Sequence, residues 1–196
     1  MLGRSFFARD TVAVARDLVG CLLSVDEGSA DAVTARLVEV EAYLGTDDPA
    51  SHAFRGPTPR AQIMFGDPGH LYVYFSYGMH CCANLVTRPA GTAGAVLLRA
   101  AVVEQGEEAV RRRRGAAVGE SRLLSGLGNL CKGLGIGLDD NGLDVTVSGR
   151  LTVAEGPDRP PLGTGPRVGI SRAAGLALRF WWSGHPAVSR TKKGPD

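Results

Sequence analysis

The clearest pattern along the chain is a change of period. "FARDTVAVARDLVGCLLSV" repeats its apolar residues at helical spacing behind a possible cap at Asp10, then passes through Gly20 into an apolar run, which predicts a helix followed by a strand. "AVTARLVEVEAYLG" instead alternates, placing Leu37, Glu39, Glu41 and Tyr43 on one side of a strand and Val38, Val40 and Ala42 on the other. "LYVYFSYGMHCCANLVT" reads as two strands broken at Tyr77-Gly78, a hairpin with those residues at its tip, and "GAVLLRAAVV" supplies another strand. "EQGEEAVRRRRGAA" is helical in character, whereas six glycines within "SGLGNLCKGLGIGLDDNG" favour tight turns or close backbone approach over continuous helix. "LDVTVSGRLTVAEG" and "GPRVGISRAAGLALRFWWSG" predict short strands around a proline-rich loop. Between the alternating strand and the hairpin, "TDDPASHAFRGPTPRAQIMFGDPG" is a long loop of a kind uncommon in a compact domain unless it has a task.

These elements predict an α+β protein: a single mixed domain over residues 1–196, ending in a short tail, with a largely antiparallel curved sheet, flanking helices and a protruding β-hairpin. A length of 196 residues suits one core, and 44% hydrophobic with 21% charged residues is a globular composition. No run of about 18 apolar residues suggests a membrane span, and charges interrupt the N-terminal apolar stretch, so a cytoplasmic monomer is expected. The net charge of +2 says little about partners, because a basic face can be hidden in a neutral sum. Cys21, Cys81, Cys82 and Cys131 lack CxxC spacing and read as core thiols, and no HExxH pattern is present, so neither metal nor cofactor is expected.

Candidate chemistry concentrates at two places. A carboxylate at Glu41 beside the Tyr43 ring could, if partly buried, take a proton from water; a solvated strand face carrying Glu39 and Glu41 fits the spacing equally. Tyr72 and Tyr74 share a strand face and need no more than aromatic packing to account for them, but Tyr77 at a hairpin tip has little core to enter and resembles the wedges inserted between base steps in DNA. His52 and His80 are the histidines placed for function. Arg111 to Arg114 follow Glu107 and Glu108 at helical spacing and read as a self-paired helix rather than a phosphate patch. Lys132 could be an amine nucleophile only in a desolvated site.

Taken in order, "VEVEAYLG", "SHAFRG", "TPR", "PGHLYVYFSYGMHCCAN", "VLLRA", "LCKGLGI" and "PRVGIS…LRFWW" resemble the alkyladenine (3-methyladenine) DNA glycosylases of the non-helix-hairpin-helix type, from about Phe6 to Ser189. The resemblance implies a metal-free, monofunctional glycosylase of base excision repair that flips alkylated or deaminated purines out of double-stranded chromosomal DNA and hydrolyses the N-glycosidic bond. It makes Glu41 the general base and places Arg99 beside the reacting water. Tyr43 stacks on one face of the extruded base, His52 and Tyr74 on the other, and Asn84 stands at the pocket wall. Tyr77 fills the gap in the duplex, and Thr58, Arg60, Met64 and Met79 line the DNA surface. The chain departs from the family at "SGLGNL", with Leu127 where proline is expected. Two rival readings stand beside it: a bifunctional, helix-hairpin-helix-like glycosylase using Lys132, and a non-catalytic binder of distorted DNA.

Overall fold

Asp10 begins the first substantial helix as its spacing predicts, accepting hydrogen bonds from the Val12 and Ala13 amides. In the computed structural model, which describes residues 1–76 and 78–189, this helix is α2 (Thr11–Leu18), preceded by one turn, α1 (Arg4–Phe7). Then come β1 (Leu22–Val25), β2 (Val33–Tyr43), β3 (Leu71–Ser76), β4 (His80–Val86) and β5 (Ala95–Gln105). Helices α3 (Glu107–Arg114) and α4 (Leu127–Leu134) and strands β6 (Leu151–Ala154), β7 (Leu162–Gly165) and β8 (Arg179–Trp182) complete the chain.

All strand pairs are antiparallel, in a curled sheet of order β3-β4-β5-β2-β1-β6. Strand β2 forks it. One edge pairs along its length with β5, while the other serves β1 over Val33–Arg36 and β8 over Glu39–Glu41, with β7 paired to β8. Both edges of β2 are thus paired, and Glu39 and Glu41 are completely buried, which rejects the solvated-strand alternative.

Strict alternation fails at this fork. Leu37 packs in the main core with Val40 and Ala42, whereas Val38 joins Ala100 and Ala187 in a separate cluster. The β2–β5 ladder shifts register on both sides of Glu39 and leaves Arg99 without a ladder partner. Such irregularities redirect side chains, and they are common near functional sites.

The main core gathers Phe7, Val14 and Leu18 from the first helices, Leu130 and Leu134 from α4, and the inner faces of the sheet. Each large apolar side chain wholly removed from water contributes about 1.5–3 kcal/mol before entropy is charged against it. A smaller cluster of Ala53, Ala61, Met64, Tyr72, Val86, Ala93 and Ala95 lies beneath the long loop and fixes it on the sheet. At the start of that loop Gly45 has φ +70° and approaches Ala93 so closely that a Cβ would sit 2.2 Å from its carbonyl oxygen, so only glycine fits.

Three elements depart from expectation. The glycine-rich segment does contain a helix, α4, because Gly126 and Gly135 lie at its two ends while Gly128 and Gly133 sit where His80 and Leu124 pack against the helix backbone. Of the two C-terminal stretches expected to be strands, only Leu151–Ala154 and Arg179–Trp182 form them beside the short β7. Strand β7 arises within the proline-rich loop, its glycines accommodating the Trp181 ring. The arginine run is self-paired only at Arg111, which binds Glu107; Arg112 pairs instead with Asp31, and Arg113 and Arg114 donate to the Gly133 and Leu123 carbonyls. These guanidiniums tie α3 to neighbouring loops.

Candidate active site

A cavity of about 440 Å³ opens between the long loop, the β3–β4 hairpin, β5 and the segment after β7. Its size is that of a small-molecule site. Tyr43, His52, Tyr72, Tyr74, Asn84 and Arg99 all face it, so the hairpin, the alternating strand and the loop converge as their sequence chemistry suggests.

Glu41 lies just behind the wall, fully buried, against three residues that line the cavity. Its Oε1 accepts from the Val168 amide at 2.7 Å and stands 3.4 Å from the Arg99 guanidinium, while Oε2 accepts from the Tyr43 hydroxyl at 3.0 Å. Burial raises its pKa above the usual carboxylate value; Arg99, the Val168 amide and the Tyr43 hydroxyl oppose the rise but do not cancel it. Burial and the neighbouring Glu41 charge together raise the Tyr43 pKa, so that the hydroxyl stays protonated and remains the donor. The result is a carboxylate that can be ionised yet is a better proton acceptor than one in water.

The aromatic walls are built on separate supports. His52 packs edge-on to Tyr74 with ring centroids 4.6 Å apart, and its Nδ1 lies 2.9 Å from the Tyr72 hydroxyl. Partial desolvation, with the Arg60 charge adding to it, pushes the imidazole down to about 4, so His52 is neutral at physiological pH. Tyr43 is backed by Arg167, whose guanidinium carbon is 4.5 Å from the ring centroid. Arg167 is held by a buried bidentate pair with Asp48 and donates to the Ala42 carbonyl at 2.9 Å. Burial works against ionising Asp48, but the bonds from Arg167 and the Ala50 amide outweigh it and hold the carboxyl below its usual range. Asn84, buried on β4 opposite Tyr72, donates to the Tyr72 carbonyl at 3.0 Å, which locks its amide at the wall.

The residues expected on the outer surface divide. Met79 at the hairpin turn is 66% exposed, and Thr58 and Arg60 are exposed on the loop, with Arg60 4.8 Å above the Tyr74 ring at the cavity rim. Met64 is a correction: it is 2% exposed and lines the cavity wall from inside the small cluster, because the turn Gln62–Phe65 rolls its side chain inward. Tyr77 lies outside the described residues. Leu127, the departure from the family pattern, is the first residue of α4, a position that proline also suits, and it lines the cavity. Lys132 is exposed on α4 and does not line the cavity, which lacks the desolvation a Schiff-base lysine needs. His80 is exposed and packs against Gly128.

Several residues around the site were not legible beforehand. Asp48, Arg167, Arg179 and the Val168 amide have no spacing that marks them, and only the resemblance of "PRVGIS…LRFWW" takes in three of them. Among the described residues no group of three or more His, Cys, Asp or Glu side chains is arranged to hold a metal, and no helix is long and apolar enough to cross a membrane.

The family model for methylpurine-DNA glycosylase matches residues 5–186. Proteins named as 3-methyladenine DNA glycosylases are similar along most of their length: one from Mycobacterium sp. (strain KMS) is 46% identical, covering 95% of this chain and 91% of its own. Another from Cutibacterium acnes is 51% identical over 80% of this chain and 85% of its own. A third, from Chlorobaculum tepidum, is 44% identical over 99% and 93%. The chain belongs to the methylpurine-DNA glycosylase family.

Proposed function

We propose that this DNA glycosylase of base excision repair acts as a monomer on damaged purines in double-stranded DNA, taking the flipped base into the cavity and hydrolysing its N-glycosidic bond with Glu41 as general base. The observation that carries this reading is the buried Glu41 carboxylate held against Arg99, Tyr43 and Val168 at the wall of an aromatic cavity. Tyr43 stacks on one face of the base, and His52 with Tyr74 covers the other. Asn84 disfavours the exocyclic amino group of guanine. Breaking the glycosidic bond develops positive charge on the sugar, which the Glu41 carboxylate stabilises while it takes the proton of the attacking water, with Arg99 beside it. An alkylated purine leaves readily because it already carries positive charge; hypoxanthine needs a proton on leaving. Met79, Thr58 and Arg60 meet the duplex around the cavity mouth, Tyr77 fills the gap that the flipped nucleotide leaves, and Met64 supports the pocket from within.

The test is base release from an alkylated and a hypoxanthine-containing duplex in EDTA. Wild type is expected to release base and leave the abasic strand intact, and Glu41→Gln to lose about 100-fold or more in rate while still binding DNA. A covalent adduct trapped by borohydride would instead support Lys132 chemistry, and binding without release by wild type would support a non-catalytic role.

A further inference from the structure

We propose that Glu39 is a positioning residue for this reaction, holding the Arg99 guanidinium against Glu41 through a buried four-charge array. The inference rests on Glu41 being the general base. Glu39 is fully buried, and every contact it makes leads back to the site. Its Oε1 accepts from Arg99 Nε at 3.1 Å and from Arg179 at 3.1 Å, and its Oε2 accepts from the Ser189 amide at 2.7 Å. Arg99 also donates to the Ser189 hydroxyl at 3.2 Å, and Arg179 to the Ser189 carbonyl at 3.3 Å. Thus Arg99 is gripped by Glu39 at Nε and by Ser189 at one terminal nitrogen, which leaves the other terminal nitrogen directed at Glu41.

A guanidinium cannot lose its proton in a protein, so burying one beside a catalytic carboxylate would fix a permanent ion pair and suppress the carboxylate as a base. Glu39 prevents this by sharing the charge. Around Glu41 stand Glu39 on its own strand, Arg99 on β5 and Arg179, its ladder partner on β8. Arg167 and the Val168 amide come from the segment after β7, and Tyr43 completes the set. Within the array, two carboxylates face two guanidiniums, Arg99 and Arg179. The irregular β2–β5 ladder at Glu39 is the backbone device that brings Arg99 into this position.

Removing the Glu39 charge leaves an excess of positive charge next to Glu41 and frees Arg99 to turn. The readout is single-turnover release of 3-methyladenine from methylated duplex against pH, where the leaving base is already cationic and the acid limb reports Glu41. Glu39→Gln is expected to lower the plateau rate about 10- to 100-fold with DNA affinity within about threefold, and to move the acid limb to lower pH. Glu39→Asp keeps the charge, so its limb stays at the wild-type pH even if its rate falls. Arg179→Gln removes a positive charge and moves the limb the opposite way, to higher pH; it serves as the deciding variant should Glu39→Gln not fold. A folded Glu39→Gln with the wild-type plateau and limb overturns the proposal, as does an unmoved limb in Arg179→Gln. Base release retained by Glu41→Gln would overturn the reading of Glu41 instead, which separates the two failures.

Discussion

Glu41→Gln should stabilise the protein while disabling it. The Glu41 side chain is wholly buried, and the loss of hydration exceeds what Arg99, the Val168 amide and the Tyr43 hydroxyl return, so its folded pKa lies above its unfolded one. A carboxylate of that kind favours folding only while protonated: its contribution is full below the unfolded pKa and is lost as pH rises through the folded value. At pH 7.5 the ionised group therefore burdens the fold, and glutamine, of the same shape but neutral, removes the burden while keeping an acceptor for the Val168 amide. Relieving a functional site of this sort typically gains about 1–2 kcal/mol, and in a domain of this size each kcal/mol moves Tm by about 2–4 °C, so a rise of roughly 2–8 °C is expected. Calorimetry of both proteins at pH 7.5 and again near pH 4.5 is the assay. The gap should narrow on acidification, because the wild-type carboxyl then takes up its proton in both states while all other groups titrate alike in the two proteins. A variant that melts at or below wild type at pH 7.5, or a gap that persists unchanged in acid, would refute the electrostatic account of the site.

Asp48→Ala strands the Arg167 guanidinium without its buried partner and removes the support behind Tyr43; a loss of about 3–5 kcal/mol in urea unfolding is expected, and a loss below about 1 kcal/mol would show that the pair is dispensable. His52 is held at about 4 in the folded protein, so its ring resonances should titrate with a midpoint near that pH rather than near 6.5. Because the unfolded chain takes up the proton first, wild type should lose stability as pH falls from about 6.5 toward 4, and His52→Asn should be flatter over that window. A midpoint near the ordinary histidine value would sink the claim that the site keeps His52 neutral.

Much of the architecture was legible because local periodicity and backbone chemistry dictate it. The cap at Asp10, the strand carrying Glu41 and Tyr43, the β3–β4 hairpin and the Glu107–Arg111 pair follow from contacts within a few residues, and each forms where its spacing predicts. The same short-range chemistry brought the aromatic hairpin and the Glu-x-Tyr strand forward as candidates, and the resemblance of those motifs pointed to one family. Periodicity could not reveal that β2 forks. That strand is paired along both edges because β8, from the far end of the chain, takes the part of the edge that β1 leaves open, and two carboxylates whose burial the spacing leaves open lie inside. Nor could it show that the ladder slips at Glu39, that Met64 turns inward, or that Asp48 and Arg167 meet across 119 positions behind Tyr43. The sequence by itself determined the Asp10-capped helix, the Glu-x-Tyr strand and the aromatic hairpin, and which side chains stand as candidates for the chemistry, since those depend on local conformation and residue type. Tertiary structure alone decided the electrostatics of Glu41, because desolvation and ion pairing depend on what distant segments place around a carboxylate, and no local pattern encodes that.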